Sequence, residues 1–206
     1  MPNPMQITLM RHGRSRADDE MVHEGRYDSP LTDFGRAQVR SRAEQWKQSG
    51  VTFDLIVAST LVRASESARI VGESLDVPIE YDPDWMERDN GPLAGLPFDV
   101  AKERYPRPDF TNPFQPFVPS TGEGESGWEL MSRGARALQS VVRKGRPSTL
   151  VVAHGGILNA AMYCLLGVSP HPGVVRFAFG DACFVRTSYD PESDQWTIRE
   201  MSAQSD

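Results

Sequence analysis

The sequence predicts an α/β protein, a three-layer α/β/α sandwich around a mostly parallel sheet. Short aliphatic runs (Ile7-Thr8-Leu9, Leu55-Ile56-Val57-Ala58 and Thr149-Leu150-Val151-Val152-Ala153) alternate with longer helical patterns, the arrangement parallel strands require. Two of these runs lead directly into tripeptides of the same chemical kind, Arg11-His12-Gly13 and His154-Gly155-Gly156. Ligands of open α/β sheets bind at such carboxyl ends of strands.

Taken in order, residues 5–11 form the first strand, and 15–31 are polar and irregular, with Gly25, Asp28 and Pro30 as turn formers. Thr32 is placed to cap a helix that runs to Ser49 and stops at Gly50. Residues 54–58 are a short buried strand, after which Ser59 or Thr60 caps a helix to about Leu75; Pro78 prevents its continuation. A strand follows at 79–81, then a stretch from Asp82 to Gly95 without periodicity, then a short helix over Phe98–Tyr105. Residues 106–125 hold five prolines and two glycines with Phe110, Phe114 and Phe117 between them. A disordered linker carries fewer aromatics, so 96–125 reads as an ordered lid or flap on one domain spanning 1–206. The alternative is a loop whose phenylalanines fill a side cleft. Helical signals resume at Ser126, where Trp128, Met131, Ala135, Leu138 and Val142 make one apolar face against the sheet. The strand at 149–153 enters an apolar helix (Ile157–Leu166), and further strands are expected at 174–179, 183–189 and 196–201.

Composition excludes several functions. A chain of 206 residues, 39% hydrophobic and 24% charged, can bury a full core without staples. Its net charge of −6 argues against general nucleic-acid binding; an anionic ligand needs a local basic pocket instead. No apolar stretch has the length of a membrane span. The N-terminus lacks a basic segment before an apolar core, so no secretory signal is read there and a cytoplasmic location is expected. Cys164 and Cys183 sit in apolar contexts and read as buried free thiols. No coiled-coil or edge-strand pattern fixes the oligomeric state; a homodimer is left open.

If the strands before Arg11-His12, Ser59 and His154 are neighbours, two arginines (Arg11, and Arg63 in the first turn of a helix) and two histidines converge at one sheet edge. A helix N-terminus adds backbone N–H donors there. Such a cluster suits a tetrahedral dianion, with a histidine held against the phosphorus.

The same residues carry a resemblance that extends along most of the chain. Arg11-His12-Gly13, Leu31-Thr32-Asp33-Phe34-Gly35-Arg36-Ala37-Gln38, Ser59-Thr60-Leu61-Val62-Arg63-Ala64, Glu87-Arg88-Asp89-Asn90-Gly91 with Gly95, Gly124-Glu125-Ser126 with Arg133, and Val152-Ala153-His154-Gly155-Gly156 occur in that order. Together they resemble the histidine phosphatase superfamily, the phosphoglycerate-mutase-like group. The resemblance implies that His12 is a nucleophile that becomes phosphohistidine and that Arg11, Arg63 and a cationic His154 hold the phosphoryl oxygens. Glu87 would protonate the leaving oxygen and later activate water. The candidate substrate-binding set is Arg11, Ser15, Asp18, Glu24, Gly25, Arg63 and Gly155. Phosphoryl transfer asks the protein mainly for positioning and charge stabilisation, so no metal or other cofactor is expected. From the residues alone, the acid could be a neighbour of Glu87 (Asp82, Asp84 or Asp89), but Glu87 is favoured by its place before Arg88-Asp89-Asn90-Gly91. A zinc site of His12, His154 and Glu87 is conceivable, but no close His or Cys spacing favours it. His23 and His171 lack partner motifs and read as surface residues.

Two positions depart from the family pattern. Arg14 stands where Glu or an uncharged residue is usual, and Asp18 where Asn is frequent. Arg14 or Arg16 is therefore a candidate contact for a second anionic group of the substrate, with Arg16 as a partner for Asp18. Residues 104–108 lack the tandem arginines of cofactor-dependent mutases, and the acid loop lacks the mutases' aromatic-rich sequence. A small-molecule phosphomonoesterase is preferred to a mutase; a catalytically silent phospho-ligand binding module is the reading from another class. Trp85, Trp128 and the phenylalanines and prolines of 106–119 are expected to form an apolar wall that selects the substrate.

Overall fold

A computed structural model describes residues 4–106, 108, 112–170 and 176–202. Strand β1 (Met5–Arg11) is followed by helices α1 (Arg16–Glu20) and α2 (Asp33–Gln48), then β2 (Leu55–Ala58), α3 (Val62–Leu75) and β3 (Ile79–Tyr81). Two 3-10 turns, Pro83–Trp85 and Gly91–Leu93, precede α4 (Phe98–Arg104) and α5 (Gly127–Arg143). Strand β4 (Ser148–Ala153), α6 (Gly155–Leu166), β5 (Phe184–Asp190) and β6 (Gln195–Met201) complete the chain. The strands form one sheet in the order β3-β2-β4-β1-β5-β6. Its first four are parallel, while β5 and β6 run antiparallel to their neighbours.

Side chains alternate across the sheet, because successive Cβ atoms of a strand point to opposite faces. Ile7, Leu9, Leu55, Val57, Val151 and Ala153 pack with Leu130, Leu138, Val141, Ile157 and Leu158 of α5 and α6. From the other face, Met10, Ile56, Ala58, Leu150 and Val152 pack with Val39, Ala43, Trp46, Ala64, Ala68 and Val71 of α2 and α3. The sandwich expected from the strand–helix alternation is thus present, with its parallel part running from the β3 edge to β1 and the antiparallel β5 and β6 at the other edge.

Register brings the motif residues together. Arg11 pairs with Ala153 across β1 and β4, so His12 and His154 leave the sheet side by side. Ala58 pairs with Val152, which puts Ser59 next to them. The ladder runs past the strand ends: the N–H of His12 donates to the carbonyl of Ala153 and that of Ser59 to Val152, each at 3.0 Å.

Several local expectations need correction. Neither Ser59 nor Thr60 is the N-cap of α3, which is Leu61, without a side-chain cap; the Ser59 hydroxyl accepts the Leu61 N–H at 3.2 Å and is engaged with His154. Helix α1 lies inside the stretch expected to be irregular. On α5 the buried face is Leu130, Gly134, Ala137, Leu138 and Val141 together with Arg133, whereas Ala135 is exposed. Trp128 is turned out, stacked on Phe114 with ring centroids 5.8 Å apart. Trp85 is fully buried in the core beneath α5 and α6, so the two tryptophans form no common wall. Residues 176–179 of the expected strand 174–179 have no regular structure; its residues 174 and 175, like His171 and Phe110, lie outside the described residues. His23 is half-buried, edge-on to Phe98.

Candidate active site

His12 is fully buried at the end of β1, and its two nitrogens have partners of opposite kind. Nδ1 lies 2.6 Å from the carbonyl oxygen of Gly13, which can only accept. Nε2 lies 3.2 Å from Nε of Arg63, which can only donate. Nδ1 therefore carries the proton and Nε2 is unprotonated, its lone pair accepting from Arg63, a tautomer set by these two partners. Gly13 permits this approach: a Cβ there would stand 2.4 Å from the carbonyl oxygen of Gly35. Conversely, a Cβ on Gly35 would meet the Arg14 carbonyl at 2.1 Å. The glycine of the Leu-Thr-x-x-Gly segment thus exists to let α2 touch the His12 loop.

Arg63, also fully buried, is fixed by the carbonyls of Tyr27 and Gly25, each at 2.9 Å. Glu24 sits between the charged groups, with Oε1 3.4 Å from Arg63 Nε and Oε2 4.0 Å from His12 Nε2. It also accepts the hydroxyl of Ser15. Arg11 donates to the Phe179 carbonyl at 3.1 Å and lies 3.4 Å from Asp181 and 3.8 Å from Asp18. Asp18 takes its remaining hydrogen bonds from the N–H and hydroxyl of Ser15, at 2.9 and 3.0 Å. Its partners are thus Arg11 and Ser15; Arg16 pairs with Glu20 at 2.7 Å. Arg14 pairs with Asp19 at 2.7 Å, both side chains exposed. Neither Arg14 nor Arg16 is directed at the cluster, which corrects the second-anion expectation.

His154 is the N-cap of α6, its ring centroid 5.0 Å from that of His12. Nε2 shares a hydrogen bond of 2.8 Å with the Ser59 hydroxyl, while Nδ1 is buried with no partner. Burial first, then the charge of Arg63, holds both histidines well below their ordinary value of 6.5. Burial first, and then the neighbouring charges of Arg63 and Arg11, thus oppose in the free site the cationic His154 expected from the sequence. A consequence for stability follows. Below pH 6.5 an unfolded chain protonates both residues while the folded one does not, so the unfolded state gains protons and stability falls as pH falls. Each residue contributes up to about 1.4 kcal/mol per pH unit. Melting curves at pH 7.5 and 5.5 are expected to show a smaller acid-induced drop in His154→Gln than in wild type; an unchanged drop would refute this account.

Glu87 reaches the cluster from the opposite side. Its carboxylate accepts the N–H groups of Gly156 (2.9 Å) and Ile157 (3.1 Å) at the start of α6, and that of Arg88 at 2.7 Å. These are N–H groups a helix leaves unpaired. Gly156 is required here, since a Cβ would lie 2.3 Å from Glu87 Oε1. The acid loop is clamped by Arg133, which donates to the carbonyls of Asp84, Met86 and Glu87 at 2.8, 2.6 and 3.2 Å. Arg133 is itself paired bidentately with Glu125 at 2.7 and 2.6 Å. The neighbouring acids are engaged elsewhere: Asp82 caps a turn, Asp84 meets Arg136, and Asp89 meets Arg26. A cleft of about 490 Å³ opens between Arg11, Glu87, Gly155, Gly156, Asn159, Arg176 and Phe177–Phe179.

The structure thus gathers Arg11, His12, Arg63 and His154, with Ser15, Asp18, Glu24 and Gly25 behind them and Glu87 and Gly155 on the cleft. Sequence reasoning missed Asp181, the Phe179 carbonyl and the hydroxyl of Ser59. It had Glu125 and Arg133 as family positions without a task; a buried arginine on an otherwise apolar helix face was their readable signal.

The family model of the histidine phosphatase superfamily (branch 1) matches residues 7–204. The uncharacterized phosphatase PhoE of Bacillus subtilis is 30% identical over 199 residues, covering 97% of this chain and 95% of that one. A 2,3-bisphosphoglycerate-dependent phosphoglycerate mutase of Nitrobacter winogradskyi is 32% identical over 180 residues, 82% of this chain and 85% of that one. Among solved structures, a mycobacterial glucosyl-3-phosphoglycerate phosphatase complexed with VO3 superposes with a TM-score of 0.80 at 23% identity, covering 97% of this chain and 100% of that one. The chain belongs to the histidine phosphatase superfamily. Its relatives include both phosphatases and mutases, and among the described residues no helix is long and apolar enough to cross a membrane.

Proposed function

We propose that this protein is a metal-independent, cytoplasmic phosphomonoesterase acting on small phosphorylated molecules through a phosphohistidine at His12. The observation that carries the reading is the tautomer of His12, whose unprotonated Nε2 is directed at the buried Arg63. In the first step Nε2 attacks phosphorus and the P–O bond to the alcohol breaks, with Glu87 donating its proton to the leaving oxygen. In the second, Glu87 takes a proton from water, whose oxygen attacks phosphorus; the P–N bond breaks, restoring neutral His12 and releasing phosphate. Arg11 and Arg63 hold the equatorial oxygens, and the unpartnered Nδ1 of His154 is left for a further oxygen. Ser15, Asp18, Glu24 and Gly25 act on the substrate through the arginines they position, and Gly155 borders its entrance. The whole of 1–206 serves as one catalytic domain, with 96–125 as the lid segment.

A mutase is the second reading, favoured by relatives such as that of Nitrobacter winogradskyi. Phosphate release from 4-nitrophenyl phosphate, measured with a chelator present, tests the proposal. Wild type should release phosphate, and His12→Ala should lose at least about 10⁴-fold in kcat, as expected when a nucleophile is removed. Activity that survives in His12→Ala refutes the mechanism, activity lost to the chelator refutes metal independence, and a requirement for 2,3-bisphosphoglycerate makes the protein a mutase.

A further inference from the structure

Two arginines beside the acid end of the cleft have no part in the phosphoryl half of the site. Arg88 follows the acid Glu87, and Arg176 lines the cleft together with Glu87 and Arg11. The two guanidinium groups lie within each other's electrostatic reach, and Tyr163 lies in the field of both. Arg88 is largely buried over the Phe117 ring, 5.1 Å from its centroid, and its Nε has no hydrogen-bond partner. Burial opposes its charge, and Arg176 and Arg133 add to that opposition. Glu87 and Glu125, the acids that favour Arg88's charge, are committed elsewhere, Glu87 to the start of α6 and Glu125 to Arg133. Among the described residues neither Arg88 nor Arg176 makes an ion pair, although twelve other arginine or lysine pairings and one of histidine are formed there.

The backbone that presents Arg176 is fixed. Asn159 of α6 donates to the Phe177 carbonyl at 3.1 Å and accepts the Phe177 N–H at 2.8 Å. An exposed arginine is thus anchored at the mouth of the cleft, on the same side as the acid that would protonate the leaving group.

We infer that Arg176 and Arg88 form a second anion subsite that selects phosphomonoesters whose alcohol half carries its own carboxylate or phosphate. Guanidinium forks bind both groups bidentately, and a buried, unpaired cation gains most from such a partner. The inference rests on the phosphatase reading above, and it places the second charge beyond Glu87, away from Arg14 and Arg16.

Two matched substrate pairs test it in the full-length protein: 3-phosphoglycerate against glycerol 3-phosphate for a carboxylate, and fructose 1,6-bisphosphate against fructose 6-phosphate for a phosphate. The readout is the ratio of kcat/KM within each pair. Wild type is expected to favour the doubly anionic member of at least one pair by about tenfold or more, the scale of a charged hydrogen bond. Arg176→Ala, a change at an exposed position, should abolish most of that preference, and Arg176→Glu should reverse it. Arg88→Gln should lower it as well. Activity on 4-nitrophenyl phosphate without preference in either pair, or a preference that survives Arg176→Glu, overturns the subsite while leaving the phosphatase intact. Absence of His12-dependent release from every substrate overturns the phosphatase reading itself.

Discussion

Glu87→Gln is expected to slow hydrolysis of an alkyl phosphate by about 10²–10⁴, the range general acid catalysis supplies. The same variant should lose far less on 4-nitrophenyl phosphate, whose leaving group departs without a proton. Gly156 and Ile157 donate to different oxygens of the carboxylate, so the single amide oxygen of glutamine keeps one of these N–H groups while its NH2 faces the other, and melting is expected to fall alongside the rate. The contrast between the two substrates is the diagnostic. An equal loss on both would mean that Glu87 only holds the loop, and the proton donor would have to be sought among its neighbours.

Arg63→Ala is expected to reduce kcat/KM by about 10³–10⁵, the range seen when an arginine that stabilises transferring phosphoryl oxygens is removed. Its cost is also structural, because the Gly25 and Tyr27 carbonyls and His12 Nε2 would each lose a donor inside the protein. Arg63→Lys separates the two effects. Lysine keeps the charge, but its single ammonium cannot span two carbonyls and a phosphoryl oxygen in one plane. Arg63→Lys should therefore retain most of the stability while remaining at least about a hundredfold impaired. Recovery to within tenfold of wild type would show that charge alone suffices.

The parts of the site that follow strands were legible in the sequence. Ile7 to Leu9, with the β-branched Thr8, and Leu150 to Val152 are runs of the kind found in strands covered on both faces, and each delivers its histidine at a definite place. Helix α2 was legible because Thr32 accepts the Gly35 N–H at 2.9 Å, a cap that spacing reveals. The α5 face was misjudged because Arg133 scores as polar while it is buried, and Trp128 scores as apolar while it stacks outside on Phe114. Tertiary partners decided both, and hydropathy spacing carries no information about them. The same holds for Arg14 and Arg16, whose charges suggested a ligand but whose partners Asp19 and Glu20 lie close by on α1.

The two halves of the site hang from opposite sides of the sheet. Arg63 comes from α3, whereas Glu87 is clasped by α5 and α6 through Arg133 and the Gly156 N–H. The proposed grip on phosphorus and handling of the departing alcohol are thus supported from opposite faces of the sheet, and they meet at the strand tips and through the Arg26–Asp89 ion pair. Changes around Arg88, Arg133 or Glu125 can re-tune which alcohol is released without disturbing the phosphoryl cradle. Such a division lets a lineage explore new substrates while keeping one chemistry.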